Sequence, residues 1–412
     1  MTPDRSTPPE ISDFGHLTLP EPNIITLQNG IRIFIINAGT VPVNNILMSW
    51  NRGEADVDSP VALRLMINSI SEGTSKHTGA EIADIFESNG SWIRFGTTLH
   101  ETFVSVFSLN SNVAEIISAL IEIITDLKIK LEKVLYQASL GIIGLNYGQD
   151  HPFSREETPE EIASLTRDNV IDIYRSVITK YPPTIYLSGM IDNELTDRVV
   201  KAFSPLSFES APEPYIVIKR QAAPGGSTVK LPMPGKKQSG IKIAIPAINA
   251  EHPDFLLLNI AVTALGGYFG SRLVMNIRED KGYTYGISAR LISFKEGGTV
   301  SITCECDNKY VDAVIDEIKK ELARLASEPM DDDELRMVTR YMKSSLAACL
   351  DNAFSISEYH KGLIRSNKGS SEFYRLQELL STVTPEDIRT IAAQLLDPTK
   401  ILISVAGDVN QA

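Results

Sequence analysis

SLTRDNVIDIYRSVITKYPPTIYLSGMID, residues 164 to 192, and TVTPEDIRTIAAQLLDPTKILISVAGDVN, residues 382 to 410, decide the fold of this chain. Each reads as a threonine ahead of a short acidic helix, a connection, a β-rich run and a closing glycine. Thr166 to Thr384 and Gly189 to Gly407 share an offset of 218, so the two stretches align without a gap. A gapless match of that length implies two similar halves. Between them, FESAPEPY and RQAAPGGS concentrate proline, glycine and small residues, which is linker composition. The expected division is residues 1–208, a linker over 209–226, and residues 227–412.

The remainder of each half follows one plan. In the first, NGIRIFIINAG and NNILMSWNRG carry the apolar runs of strands, and TGAEIADIFESNG reads as a helix. Thr78 with Glu81 is a capping box, and Asn89-Gly90 marks the stop. WIRFGTTLHETFVSVFSL reads as two strands and SNVAEIISALIEIITDL as an amphipathic helix. The second half repeats this with GIKIAIPAI, a helix from Pro253 to Leu265, a hairpin around KEGG, and the helix NKYVDAVIDEIKKELARLASE. The fold class is α+β, two homologous halves, each an antiparallel-rich sheet with helices on one face.

A chain of 412 residues, 43% hydrophobic and 22% charged, can bury two ordinary cores. Its net charge of -13 disfavours nucleic acid and anionic membranes. The first thirty residues contain no apolar run of signal-peptide length, and no later stretch reaches membrane-spanning length. The expectation is a soluble cytoplasmic protein, or a periplasmic one if a signal has been trimmed. Cys304, Cys306 and Cys349 form no disulfide framework. Cys304 and Cys306 alternate along a strand, with no further cysteine or nearby histidine to complete a metal set, so both are expected in the core.

LQNGIRIFI, SEGTSKHTGAEIADIFESNG, HPFSREETPEEIASLTRDNVIDIYRS, QSGIKIAIP and LGGYFGSRLVMNIREDKGYTYG, set in two equivalent halves, resemble the M16 peptidases. That family includes pitrilysin, insulysin and the mitochondrial processing peptidases. The resemblance covers nearly the whole chain, and the last motif is its most specific part. It implies an inverted zinc motif, His-x-x-Glu-His, on the first helix before a Gly-Thr pair. Here that helix reads VALRLMINSISEGT, which puts Arg64, Ile67 and Asn68 at the motif positions. A permanent cation, an alkyl chain and an amide cannot replace two imidazoles and a carboxylate base. The glutamate that completes the family's ligand set should fall in KVLYQASLGIIGLNYGQD, residues 133–150, where no carboxylate precedes Asp150. No metal is expected in this chain.

Arg278 and Tyr285 stand seven residues apart in the last motif. In the family, an arginine and a tyrosine at this spacing reach across a chamber to the zinc-bearing half, where they hold the substrate backbone and the scissile carbonyl oxygen. The resemblance implies the same catalytic roles here. A phenol placed beforehand in a water-poor site stabilises the charge that develops on oxygen, and a guanidinium offers a fork of donors. Spacing alone would leave Arg278 a solvated helix residue and Tyr285 a half-buried aromatic; the surrounding SRLxxxIRExxGxxY pattern selects the functional roles. Tyr283, read on the same strand face as Tyr285, is assigned to packing. LGGYFGS lacks the Lys-Ser/Thr of a phosphate loop, and the resemblance makes Gly266, Gly267, Tyr268 and Phe269 a peptide contact.

The resemblance thus implies the zinc-less subunit of a heterodimeric M16 metallopeptidase, inactive alone. Its expected partner is a homologous subunit with an intact His-x-x-Glu-His motif and its zinc, and the expected substrate is a peptide or small unfolded polypeptide. By itself the chain could pair as a homodimer. The alternative is a noncatalytic M16 homologue acting as a structural or peptide-holding protein.

Overall fold

The structure, a computed structural model, describes residues 15–68, 73–125, 145–148, 151–154, 164–209 and 218–408. The strand signals of the first half become β2 (Arg32–Asn37), β3 (Val43–Trp50), β4 (Trp92–Thr97), β5 (Thr102–Leu109) and β6 (Thr184–Gly189), and the structure adds β1 (Asn23–Thr26), in the sheet order β1-β2-β6-β3-β5-β4. Those of the second half become β8 (Gln238–Ala247), β9 (Thr284–Phe294), β10 (Gly297–Asp307) and β11 (Leu402–Gly407), and the structure adds β7 (Thr228–Pro232), in the order β7-β11-β8-β10-β9. Without the edge strand β1, the two orders are the same. The one parallel pairing in each sheet also falls at the same place, β2 with β6 and β7 with β11.

The duplicated stretches occupy equivalent seats. Their β-rich runs are β6 and β11, with Gly189 in register with Asn37 and Gly407 with Pro232. Their helices are α4 (Arg167–Tyr174) and α11 (Pro385–Leu395). Thr166 and Thr384 cap them through reciprocal bonds with Asn169 and Asp387. Each box satisfies two backbone donors that a helix start would otherwise leave unpaired.

The first half also has α1 (Pro60–Asn68), α2 (Gly79–Ser88), α3 (Val113–Thr125) and α5 (Asn193–Phe203), and the second half begins its helices with α6 (Phe255–Gly266). The sheet alternation sends Ile33, Ile35, Ile46, Met48, Val104, Val106, Ile185 and Leu187 into a core shared with α1, α3 and α5. In the second half Ile241, Ile243, Ile245, Val300, Ile302, Ile403 and Val405 meet α6, α11 and α7 (Val311–Ser327). Cys304 and Cys306, each 1% exposed, belong to this second core, as expected from their alternation.

Helices α8 (Asp332–Ala348), α9 (Ala353–Arg365) and α10 (Ser371–Thr382) follow α7. Helix α9 crosses to the first half and lies on the opposite face of its sheet, against β2 and β6. Phe34, Leu47 and Tyr186, the alternate positions of three strands, are buried there beneath Ile364. The first sheet is therefore covered on both faces, an addition to the one-sided packing read from the sequence. At the rim, Arg365 Nη1 stands 2.5 Å from Glu101 Oε2 and Lys361 Nζ stands 3.4 Å from Oε1, while Ser49 Oγ donates to Oε1 at 2.8 Å. The halves also meet where Asn146 donates to Thr299, and Arg220 of the expected linker donates to the carbonyls of Gly298 and Ala247 in the second half.

Candidate functional site

Strand β9 is the outermost strand of the second sheet, and the segment Val274–Asp280 packs against it. That segment is wound as a π-helix, with the Lys281 N–H bonded to the Asn276 carbonyl at 3.1 Å. Single π turns of this kind are frequent at functional sites because they widen the helix and turn side chains outward. Ile277, fully buried, anchors the segment below. On its flank, Asn276 Nδ2 donates to Glu317 Oε2 (3.1 Å) and Glu321 Oε1 (2.7 Å) on α7, and Lys281 Nζ donates to Glu317 Oε2 at 2.8 Å. Lys281, then Lys320 and Asn276, hold the Glu317 carboxyl down at about 2.

Arg278 leaves this clamped backbone with its side chain 38% exposed. Its guanidinium carbon lies 4.9 Å from the centroid of the Phe269 ring, and Nε lies 3.5 Å from Glu279 Oε1.

Tyr285 is presented by a different device. Thr284 is in register with Cys306 and Gly286 with Glu305, so Tyr285 is the extra residue of a β-bulge. Thr284 Oγ1 secures it, accepting from the Gly286 N–H at 3.0 Å and lying 2.5 Å from the Glu305 carbonyl. A bulge breaks the alternation and re-aims the unpaired side chain. Tyr285 is accordingly 89% exposed. Tyr283 instead stacks on Tyr310 at 4.6 Å against the core. The two tyrosines therefore do not share a face, which corrects the plain alternation assumed from GYTYG; Tyr283 does pack.

The glycine segment leads from α6 toward Arg278. A Cβ on Gly266 would lie 2.6 Å from that of Ala289, and one on Gly267 would lie 2.7 Å from Thr263 Cα, so both glycines are seats for close packing. Tyr268 turns in to stack on Tyr341 at 5.0 Å, whereas Phe269 remains 61% exposed. Arg272 ties the segment to α8 through a two-pronged bond to Glu334, at 2.6 and 2.8 Å. Of the four residues expected at a peptide contact, Tyr268 and Phe269 offer side chains and only Phe269 offers most of its surface.

The positions that would carry zinc lie on α1. Arg64 Nη1 pairs with Glu54 Oε2 at 2.7 Å, and Ile67 is 4% exposed within the first core. Asn68 ends the helix; its side chain lies outside the described residues, as does most of 133–150. Among the described residues no group of three His, Cys, Asp or Glu side chains is placed to hold a metal. A cation bound to a carboxylate and an alkyl chain inside the core do not fit zinc.

Duplicated α+β halves with an arginine and an exposed tyrosine on the second are similar to proteins of M16 type. Residues 164–341, a span that includes Arg278 and Tyr285, match the family profile of the peptidase M16 inactive domain. An uncharacterized zinc protease of Mycobacterium leprae is 22% identical over 407 residues, covering 90% of this chain and 88% of that protein. A probable inactive metalloprotease of Bacillus subtilis is 19% identical over 258 residues, 60% of this chain and 58% of the relative. The crystal structure of a peptidase M16 inactive domain from Pseudomonas fluorescens matches with a TM-score of 0.83 at 17% identity, covering 94% of this chain and 98% of that one. The chain is an M16 peptidase homologue, as its motifs implied. No helix among the described residues is long and apolar enough to cross a membrane.

Proposed function

We propose that this chain is the zinc-less subunit of a two-subunit M16 peptidase, supplying Arg278 and Tyr285 to a homologous partner that carries His-x-x-Glu-His and its zinc. The observation that carries this reading is the bulge at Tyr285, which holds a large aromatic side chain 89% exposed and leaves its hydroxyl without a hydrogen bond to any described residue. A phenol kept clear of the fold is available to a group outside the chain. In the complex, the Tyr285 hydroxyl donates to the oxygen that becomes negative as a peptide carbonyl turns tetrahedral. Arg278 donates from its guanidinium to a neighbouring backbone carbonyl and holds the peptide in place. Peptides and small unfolded segments are the substrates this arrangement suits.

The test is co-purification with a zinc-motif homologue followed by Tyr285→Phe. That change removes only the hydroxyl; association should persist while kcat falls about 100- to 1,000-fold, the usual loss for one such donor. Arg278→Ala should raise KM as well as lower kcat. The profile match to an inactive domain and the relative described as an inactive metalloprotease support a second reading, a noncatalytic peptide-holding homologue. Unchanged turnover with Phe at position 285 would select it.

A further inference from the structure

The contact that the proposed chemistry leaves unused is that of the Arg278 guanidinium over the Phe269 ring, 4.9 Å from its centroid. Phe269 is an apolar ring 61% exposed at a turn; a lone exposed ring is ordinary, and what distinguishes this one is the guanidinium that lies over it. Its turn is tightly built: Gly266 and Gly267 let the chain run close to Ala289 and Thr263, and Tyr268 folds in onto Tyr341, which leaves Phe269 beside Arg278.

Arg278, for its part, has little else to fix it. Its backbone is clamped through Asn276 and Lys281 to Glu317. Its guanidinium, however, makes no hydrogen bond to a described residue, and the 3.5 Å pair with Glu279, both side chains more than a third exposed, is a weak and screened restraint. A ring over the guanidinium covers its flat face and leaves the in-plane N–H donors uncovered.

We propose that Phe269 is a positioning residue for Arg278, its ring setting the plane of the guanidinium so that the N–H edge is presented to a peptide. The inference rests on the reading of Arg278 as a peptide contact, and it assigns Phe269 a role through Arg278 instead of through the peptide.

Two measurements test it. The first needs no partner: the rate at which phenylglyoxal modifies Arg278, read by peptide mass spectrometry against Arg198 in the same sample. Phe269→Leu should raise the Arg278 rate roughly two- to five-fold, the factor an exposed cation–π contact supplies, and Phe269→Trp should keep it at the wild-type rate. Equal rates in all three proteins overturn the proposal. The second uses the complex with a zinc-motif homologue. Phe269→Leu and Arg278→Gln should each raise KM, Phe269→Trp should rescue, and the double variant should be no worse than Arg278→Gln alone. Losses that multiply in the double variant mean that Phe269 touches the peptide itself, which also overturns the proposal. If Arg278→Gln leaves turnover intact, the peptide-contact reading falls, while the modification rates still decide the role of Phe269.

Discussion

Tyr285 depends on the residue before it. Thr284 holds the bulge with one hydroxyl that accepts from Gly286 and reaches the Glu305 carbonyl. Thr284→Val keeps the shape and removes both bonds, and should cost about 1 kcal/mol of stability. It should also loosen Tyr285, so that turnover in the partner complex falls in the same direction as with Tyr285→Phe, whereas Tyr283→Phe changes neither quantity. Wild-type turnover with valine at 284 would mean that the bulge does not set the tyrosine. At this scale the spacing of seven from Arg278 singles out Tyr285 from Tyr283 in the sequence, and the structure leaves Tyr285 exposed while Tyr283 stacks on Tyr310. The bulge itself left no such trace. A Thr-Tyr-Gly run fits a regular strand equally well until the pairing of Thr284 with Cys306 is known.

Among the elements, the π-helical segment and α7 behave as one unit because Glu317 joins them. Its carboxyl, held at about 2 by Lys281, Lys320 and Asn276, lies below the ~4.3 of a free glutamate. A group whose pKa is depressed on folding binds protons more readily when unfolded. Its stabilisation is therefore complete above about pH 5 and drains away as pH falls toward 2. Wild type should exceed Glu317→Gln in stability at pH 6, and the gap should narrow through that acid window in urea titrations. A gap independent of pH would show that the charge is not the cause. The helix that carries Glu317 was legible from the periodicity of NKYVDAVIDEIKKELARLASE, as the start of α2 was from the box of Thr78 with Glu81. The π turn was not, since its extra residue arises from how Val274–Asp280 accommodates α7 and β9.

The whole molecule is held as one body by contacts between its halves. Glu101, 4% exposed, takes its charge partners Lys361 and Arg365 from α9, a helix that belongs to the other half in sequence. Removing one member of a buried ion cluster strands the rest. Glu101→Ala should therefore cost about 3 kcal/mol, the low end for such a break because Arg365 is 32% exposed and can reach water. A loss under about 1 kcal/mol in chemical denaturation would deny the clamp a structural role. For the same reason, a protease nick within 209–226 should leave two fragments that co-elute on gel filtration. Residues inside that stretch are themselves tied down, with Gln221 bonded to Tyr147 and Ala223 to Leu145. Separation of the nicked halves under native conditions would contradict the interface.

By itself the sequence determined the duplication, the α+β class and most element positions, because each of these is written in local periodicity, capping residues or the identity of a side chain. Tertiary structure alone decided that Tyr285 stands out of its strand, that Phe269 lies against Arg278, and that α9 of one half seals the sheet of the other. Those facts depend on strand register and on contacts between residues as distant in sequence as Glu101 and Arg365. No short window of sequence contains them.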